Sequence, residues 1–238
     1  MKYILKLIAI CLIVVISINL FVLYVFAMEQ TPKFNSDVDI YRKHENVSMK
    51  IALTFDDGPH PKQTPMILDL LDQYGIKATF FTVGINASYY SEVLANVASR
   101  GHEIGNHTYS HPHVSEINQS ILEEEIKKCE EKVYEITDRR TKLFRPPEGM
   151  IDSDVLHALQ TLDYRVILWD IDTRDWAHTS PKEIADNVIS KISSGDIILM
   201  HDYIGTNSPT YEAMQIFIPE LIKKGYKFVV VSELIDSN

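Results

Sequence analysis

The stretch KIALTFDDGPH, residues 50–60, is a short apolar run that ends in two adjacent carboxylates and a Gly-Pro turn. Such a run, rich in apolar and β-branched residues, is typical of a strand buried on both sides in a parallel sheet. Asp56 and Asp57 follow directly after this strand. Like charges repel when they are neighbours, so the doublet is either a solvated acidic turn or a pair of groups with a shared task.

From Lys50 onward, short β-rich runs alternate with longer amphipathic stretches. The predicted strands are 50–55, 78–83, 102–106, 141–145, 165–170, 196–201 and 227–232. The predicted helices are 63–74, 88–100, 119–136, 152–161, 181–193 and 209–224. Strands that alternate with helices form a parallel sheet covered by helices. Residues 50–236 are therefore predicted to be one α/β domain of about seven strands, either a barrel or an open doubly wound sheet.

Residues 1–28 have the pattern of a targeting segment. Lys2 and Lys6 precede an uncharged and mostly apolar run, Leu7–Ala27. The run is long enough to span a bilayer, which favours an uncleaved anchor, although its small-residue end also fits cleavage of a signal peptide. Either alternative leaves the rest of the chain outside the cytoplasm, because the basic end stays inside. The polar residues 29–49 are predicted to be a linker to the domain.

The charge of the chain argues against a nucleic acid partner. All 33 acidic residues lie after residue 28, together with 21 of the 23 basic residues. This excess of negative charge excludes phosphate-rich polymers as electrostatic partners and favours a neutral substrate.

The two cysteines are not predicted to form a disulfide. Cys11 lies in the apolar N-terminal run, and Cys129 lies far beyond it. Cys129 belongs to an apolar series with helical spacing, which predicts a buried free thiol.

Polar residues gather directly after the predicted strands. The segments are DDGP at 56–59, NHTYSH at 106–111, RPPEG at 145–149, DIDTRDW at 170–176 and LMHD at 199–202. The carboxyl ends of parallel strands meet at one rim of the sheet, which is where the sites of α/β folds form. The sequence therefore predicts a functional site at this rim.

His107 and His111 have a spacing that allows two imidazoles to face one point. Imidazole is the commonest metal ligand, and a strand-end carboxylate would complete a set that leaves positions open for water. The acidic doublet is then explained by a division of labour. One Asp binds the cation, and the other accepts a proton from the water that the cation activates.

Three more strand-end side chains fit that chemistry. Arg145 is expected to hold the second carboxylate by a bidentate pair. His201 is available as a general acid, and Asp175 is placed to fix its tautomer and raise its basicity.

With these residues the chain resembles the polysaccharide deacetylases, the family with the NodB homology domain (carbohydrate esterase family 4). The resemblance rests on five motifs in the family's order, TFDDGP, HxxxH, RPP, DxxDW and LxH, and it covers Lys50 to Ile235. It implies a distorted (β/α) barrel that removes N-acetyl, or sometimes O-acetyl, groups from polysaccharides. It also implies a divalent metal, usually Zn²⁺, with Co²⁺ or other divalent cations as alternatives.

The resemblance implies a role for each matching residue. Asp56 matches the catalytic base, Arg145 the residue that orients the base, and Asp175 with His201 the coupled acid pair. The implied metal ligands are Asp57, His107 and His111. The implied substrate-binding residues are Pro147, Glu148, Trp176 and Leu199.

The substrate-binding set contains one departure from the family pattern. Many members carry Tyr where this chain has Glu148. Trp176 and Leu199 are expected to surround the acetyl methyl group, and the backbone N–H after Pro147 is expected to bind the oxyanion. The change at Glu148 leaves that backbone role intact and bears on substrate preference.

An exported enzyme of this kind is expected to act, as a monomer, on the N-acetylglucosamine of peptidoglycan. Chitin oligosaccharides, other exopolysaccharides and acetylated xylan stay open as substrates. A glycoside hydrolase is a second class, but its two carboxylates must lie about 5–10 Å apart on opposite sides of a sugar. A non-catalytic glycan-binding protein on the same fold is a third class, and such proteins usually lack a base or a ligand.

Overall fold

The computed structural model describes residues 38–237, except 46, 178, 206 and 207. They belong to one compact unit of the chain, Asp37–Asn238. The predicted targeting segment and the first part of the predicted linker lie outside the described residues. Within these residues, no helix combines the length and the hydropathy needed to cross a membrane.

Nine strands in the described part of the chain form one sheet, and its neighbouring strands are parallel. They are β1 Ile40–Tyr41, β2 Lys50–Asp56, β3 Thr79–Thr82, β4 Glu103–Asn106, β5 Leu143–Phe144, β6 Arg165–Ile167, β7 Ile171–Asp172, β8 Ile197–His201 and β9 Lys227–Val229. The order across the sheet is β1-β6-β5-β4-β3-β2-β8-β7, and β9 pairs with the first half of β2.

The predicted parallel α/β barrel is confirmed, whereas the predicted number of strands is too low. All seven predicted strands are present, and β1 and β7 are additional. Both additional strands have two residues, which is too short for a recognisable alternation of apolar and polar residues. Strand β1 lies inside 29–49, the range predicted to be a linker, so the folded domain begins before residue 50.

The sheet curls into a half-barrel, and the chain itself connects its two edges. β6 lies near one edge and β7 at the other, yet only residues 168–170 separate them. Leu168 N–H donates to the carbonyl of Tyr41 at 2.7 Å, which ties this connection to β1. Beyond β1, Lys43 forms an antiparallel bridge with Asp196. The segment after β1 therefore spans the space between the two edges.

Eight α-helices are present in the described residues. They are α1 Gln63–Gln73, α2 Gly84–Tyr89, α3 Ser91–Ser99, α4 Gln119–Thr137, α5 Ser153–Leu162, α6 Pro181–Lys191, α7 Thr210–Lys223 and α8 Val231–Ile235. The single helix predicted over 88–100 is wrong, because Tyr90 leaves the helical region at φ −124° and ψ 46° and separates α2 from α3. The end of the strand predicted over 227–232 is also wrong, since α8 begins at Val231.

Strand β2 shows how the barrel is packed. Leu53 and Phe55 are buried in a cluster with side chains of the surrounding helices, whereas Ala52 is buried in a separate cluster with other strands. Successive side chains of a strand point to opposite sides, so Thr54 and Asp56 share the side of Ala52. Asp56 therefore ends the strand inside the barrel, and it is buried there.

Cys129 is a buried free thiol in α4, as predicted. Its Sγ donates to the carbonyl oxygen of Thr82 at 3.3 Å. Burial raises the pKa of this thiol to about 12, which keeps it protonated and unreactive.

Candidate active site

Asp56 is held by a fully buried arginine. Nη1 of Arg145 donates to Oδ1 of Asp56 at 2.7 Å and to Oγ1 of Thr54 at 2.8 Å. Thr54 in turn donates to the carbonyl of Ile198 at 2.7 Å, which fixes the direction of its lone pairs. Asp56 is 4% exposed, so an ionised carboxylate here needs this cation to offset its lost hydration.

The rest of the guanidinium is anchored on the segment that leaves β6. Nε donates to the carbonyl of Ile167 at 2.9 Å, and Nη2 donates to the carbonyl of Leu168 at 3.0 Å. The prediction of a bidentate pair with Asp56 is therefore wrong. Only Nη1 of the guanidinium donates to the carboxylate, and Nε and Nη2 donate to two carbonyls. Burial lowers the pKa of Arg145, and the charge of Asp56 opposes this change.

Asp57, His107 and His111 bring one carboxylate and two imidazoles together. Oδ1 of Asp57 lies 3.4 Å from Nε2 of His107 and 3.3 Å from Nε2 of His111. One ligand atom of each residue lies within 4.8 Å of the other two. Tetrahedral metal–ligand bonds of about 2.0–2.1 Å place neighbouring ligand atoms about 3.3–3.4 Å apart. The spacing of these atoms therefore fits a divalent cation.

The tautomer of His107 suits a metal ligand. Its Nδ1 lies 2.7 Å from the carbonyl oxygen of Arg145. A carbonyl only accepts hydrogen bonds, so Nδ1 carries a proton, and Nε2, which faces Asp57 and His111, is the ring atom left to bind a cation. The ring is 2% exposed and is fixed in this orientation.

The loop that carries His111 is held by helix α4. Tyr109 N–H and Ser110 N–H donate to Oε2 of Glu125 at 3.0 and 2.7 Å. His111 N–H donates to Oγ1 of Thr108 at 3.1 Å, and φ of His111 is 55°. His111 therefore lies in a loop rather than within a helix.

Asp57 is ionised in this environment. Burial raises its pKa, but the hydrogen bonds with His107 and His111 lower it by more, so the pKa of Asp57 lies far below its ordinary value. Its backbone is in the left-handed region at φ 74°, and its carbonyl accepts from Nδ2 of Asn86 at 2.7 Å. The ionised carboxylate is the form that binds a cation.

His201 and Asp175 form a second buried pair. Nδ1 of His201 lies 2.8 Å from Oδ1 of Asp175, and Oγ1 of Thr210 donates to Oδ2 of Asp175 at 2.7 Å. Burial lowers the pKa of His201, but the hydrogen bond and charge of Asp175, with the charges of Asp56 and Asp57, raise it to about 9. The predicted effect of Asp175 on the basicity of His201 agrees with this geometry.

Most of these groups line one cavity of about 450 Å³ at the carboxyl ends of the strands. Its lining residues are Asp56, Asp57, His107, His111, Glu148, Gly149, Trp169, Asp172, Trp176, Leu199 and His201. Leu199 is 3% exposed and forms part of the floor, while Trp176 is 49% exposed and stands at the opening. Both are apolar side chains of the cavity lining.

Three of the predicted site residues lie behind the cavity rather than in its lining. Arg145 and Asp175 support Asp56 and His201 from behind. Pro147 is buried, and the residue that follows it, Glu148, lines the cavity.

The sequence reasoning missed several residues at the site. Trp169, Asp172 and Gly149 line the cavity but were given no role. All three follow or end strands, so the same search for polar and aromatic residues after each strand could have found them. Thr210 was missed because it reaches Asp175 from a helix 35 residues away, and a lone Thr at a helix start gives no such signal.

Comparison with known proteins agrees with this geometry. The family profile described as Polysaccharide deacetylase matches residues 43–167. The chain is 42% identical over 187 residues to a peptidoglycan-N-acetylglucosamine deacetylase of Bacillus cereus, which covers 78% of this chain and 87% of the relative. It is 38% identical over 209 residues to a peptidoglycan-N-acetylmuramic acid deacetylase of Bacillus subtilis, which covers 87% of this chain and 43% of that protein.

A solved structure has the same fold. It is the crystal structure of the Bc1960 peptidoglycan N-acetylglucosamine deacetylase, with a TM-score of 0.80 and 35% sequence identity, and the match covers 84% of this chain and 94% of that one. The ordered motifs, the barrel, the carboxylate–imidazole cluster and these likenesses lead to one assignment. The chain is an enzyme of the polysaccharide deacetylase family, carbohydrate esterase family 4.

Proposed function

We propose that the protein is a Zn²⁺-dependent hydrolase that removes the N-acetyl group from N-acetylglucosamine in peptidoglycan. The choice of sugar rests on the relative that is 42% identical to this chain, which carries that activity in its name. The choice of metal rests on the donor set of one carboxylate and two imidazoles, whose ligand atoms lie within 4.8 Å of one another and suit Zn²⁺.

One observation carries the reaction type. A buried carboxylate, Asp56, and an imidazole, His201, line the same cavity as the Asp57, His107 and His111 cluster. Hydrolysis of an amide needs a group that accepts a proton from water and a group that gives a proton to the leaving nitrogen. A cation bound to the cluster supplies Lewis acidity to the acetyl carbonyl and lowers the pKa of a water molecule.

Asp56 is proposed as the proton acceptor. Arg145 occupies Oδ1, and Oδ2 lies 3.9 Å from Nε2 of His107. The oxygen that is not held by Arg145 therefore faces the cation cluster, where the attacking water is expected. The arginine fixes the direction of this carboxylate.

His201 is proposed as the proton donor. Its Nδ1 is bound to Asp175, which leaves Nε2 available to the cavity. With a pKa raised to about 9 the ring is protonated at neutral pH, so it can protonate the departing sugar amine. The backbone N–H of Glu148 is proposed to stabilise the oxyanion, and Trp176 with Leu199 to surround the acetyl methyl group.

The protein is further proposed to act outside the cytoplasm, exported or anchored through residues 1–28. The support is the basic start and the long apolar run of that segment. Peptidoglycan lies on that side of the membrane, so the proposed location and the proposed substrate agree. The protein is proposed to act as a monomer.

The other classes are less well supported. Glycoside hydrolysis leaves the imidazole pair unexplained, and the non-catalytic alternative predicts a missing base or ligand, whereas Asp56, Asp57, His107 and His111 are all in place. Chitin oligosaccharides and other N-acetylated exopolysaccharides are the remaining substrates, and they share the reacting group.

The test is acetate release from purified peptidoglycan and from chitin oligosaccharides, after complete metal removal and after Zn²⁺ is restored. We expect release from peptidoglycan that is lost without metal and recovered with it. Release that survives metal removal would contradict the mechanism. Release from chitin oligosaccharides alone would keep the mechanism and contradict the choice of substrate.

A further inference from the structure

Glu148 occupies a backbone position that does not favour glutamate. Its φ is 59° and its ψ is 8°, in the left-handed region. Non-glycine residues are uncommon there, and those that occur are mostly Asn, Asp or His. Its carboxylate pairs with Nδ1 of His113 at 2.9 Å, but both side chains are about half exposed or more, and such pairs contribute little to stability. Folding alone therefore gives no reason for a glutamate at this place.

The turn that carries Glu148 is rigid. Pro147 precedes it, and Gly149 follows with φ 67°. A Cβ atom at Gly149 would lie 2.5 Å from the indole ring of Trp169, so this turn packs directly against that side wall of the cavity. The backbone of Glu148 is consequently held beside Trp169 in the cavity lining.

Asp172 adds a second carboxylate to the same cavity. It ends strand β7, and its Oδ1 accepts from Arg174 N–H at 2.8 Å. Asn187 Nδ2 donates to its carbonyl oxygen at 3.2 Å, which fixes the end of the strand. Asp172 and Glu148 lie in the same lining as Trp169 and Trp176, which offer flat apolar faces to a sugar ring.

Of the four carboxylates that line the cavity, Glu148 has only the exposed His113 as an ion-pair partner, and Asp172 has none among the described residues. The Arg145 guanidinium balances Asp56, and a divalent cation bound to the cluster would balance Asp57 and leave one positive charge. None of the described residues that line the cavity is Arg or Lys. Among the lining residues, an anionic group on a bound sugar would therefore meet these two carboxylates and no basic side chain other than the imidazoles of His107, His111 and His201.

We propose that Glu148 and Asp172 make the enzyme select uncharged N-acetylglucosamine and reject N-acetylmuramic acid. The two sugars have the same acetamido group, but the muramic sugar carries a lactyl ether, which ends in a free carboxylate wherever no peptide stem is attached to it. This inference rests on the proposed deacetylation of N-acetylglucosamine in peptidoglycan and adds which residues determine the choice between its two sugars. Repulsion between partly screened unit charges a few ångströms apart gives a preference of roughly tenfold for each carboxylate.

The experiment uses glycan strands from which the peptide stems have been removed, so that each muramic sugar has a free carboxylate. Both sugars then compete within one substrate. Freed amines are labelled with deuterated acetic anhydride, the strands are digested with a muramidase, and mass spectrometry locates the label. The ratio of the two labelled sugars equals the ratio of their kcat/KM values.

The variants are Glu148→Gln, Asp172→Asn and the double variant. Glu131→Gln is the matched control, because it removes the same charge from an exposed position on α4, outside the cavity lining. We expect the preference for N-acetylglucosamine to fall roughly tenfold in each single variant and further in the double variant. The control should keep the native ratio.

The preference of the native enzyme for N-acetylglucosamine should also weaken as the salt concentration rises, because salt screens exposed charges.

An unchanged ratio in the double variant, with acetate still released, would overturn this inference and leave the proposed function intact. A native enzyme that attacks both sugars equally would overturn it as well. No acetate release from any glycan, with metal present, would instead contradict the proposed function itself.

Discussion

The two carboxylate oxygens of Asp175 both bind His201, one at the ring and one at the backbone. Oδ1 lies 2.8 Å from Nδ1, and Oδ2 accepts from His201 N–H at 2.8 Å. Asp175 is fully buried, and Thr210 also donates to Oδ2. The imidazole is thus held with Nδ1 as the donor and Nε2 toward the cavity.

This pair predicts the alkaline limb of the pH profile. His201 has a pKa raised to about 9, so it is protonated below that pH and loses the proton above it. Because the protonated ring is the proposed acid, kcat/KM should fall as the pH rises through this pKa. A bound cation opposes protonation, so the limb should lie below pH 9 in the metal-loaded enzyme. The measurement is acetate release between pH 6 and pH 10.

Asp175→Asn should move the alkaline limb to lower pH, because Asn supplies a hydrogen bond but no charge. Loss of activity without a shift of the limb would mean that Asp175 only positions the ring. Thr210→Val serves as the comparison, since it removes a neutral partner of the same oxygen and should shift the limb much less.

The Arg145–Asp56 pair predicts a large stability effect. Arg145→Met leaves a buried carboxylate without its cation, which typically costs about 3–5 kcal/mol in the free energy of unfolding. The double variant Arg145→Met/Asp56→Asn should recover much of this loss, because no buried charge remains. Urea unfolding of the two variants and of native protein measures both effects. Equal stability of the single and double variants would contradict the pairing.

The two neighbouring aspartates should differ in metal binding. Zn²⁺ that binds only the folded protein raises its stability, by about 2.7 kcal/mol at a concentration of one hundred times Kd. Asp56→Asn should keep the Zn²⁺-induced rise in Tm and lose acetate release. Asp57→Asn should lose both, because it removes a ligand atom. The opposite pattern would mean that the base and the ligand are exchanged.

Asp202 predicts a pH dependence of stability. Burial raises its pKa from 3.8 to about 7, and Oδ1 has no hydrogen-bond partner among the described residues. The folded chain therefore binds more protons than the unfolded chain between these two values. The free energy of unfolding should fall as pH rises across that window, with a slope of up to about 1.4 kcal/mol per pH unit from this group. Asp202→Asn should flatten the fall, as urea unfolding at several pH values would show.

Gly195 tests the closure of the barrel. Its φ is 89°, and its N–H donates to the backbone carbonyl of Lys50. An added Cβ atom would lie 1.7 Å from the carbonyl oxygen of His44. Gly195→Ala should therefore displace the segment after β1 and lower Tm by several degrees. Gly205→Ala is the control, because it also has a positive φ but nothing within 4 Å of the added atom. Similar losses in both variants would show that backbone strain, rather than closure, is responsible.

The sequence was sufficient for the fold class because strands buried on both faces leave long apolar runs. It was not sufficient for β1, whose two residues, Ile40–Tyr41, pair with a strand more than a hundred residues away. The division between α2 and α3 also escaped prediction, since apolar residues continue across Tyr90. Tertiary contacts, rather than local pattern, decide each of these features.

The site was predictable to the extent that its residues follow strands. Asp57, His107 and His111 come from two strand ends, and parallel pairing brings those ends together. The hydrogen bonds of the Arg145 guanidinium were predicted only in part. Its bonds to the carbonyl oxygens of Ile167 and Leu168 depend on the path of the backbone at the end of β6. Such carbonyl contacts have no sequence signature.

Arg145 supports both halves of the reaction centre, with its side chain on Asp56 and its carbonyl on Nδ1 of His107. A displacement of Arg145 is therefore expected to move both the proposed proton acceptor and a proposed metal ligand. Asp56 also lies opposite His201 in the pairing of β2 with β8, so the separation of these two residues has its own support in the sheet. A substitution around β5 is consequently expected to disturb two proposed roles at once, because both depend on the position of one arginine.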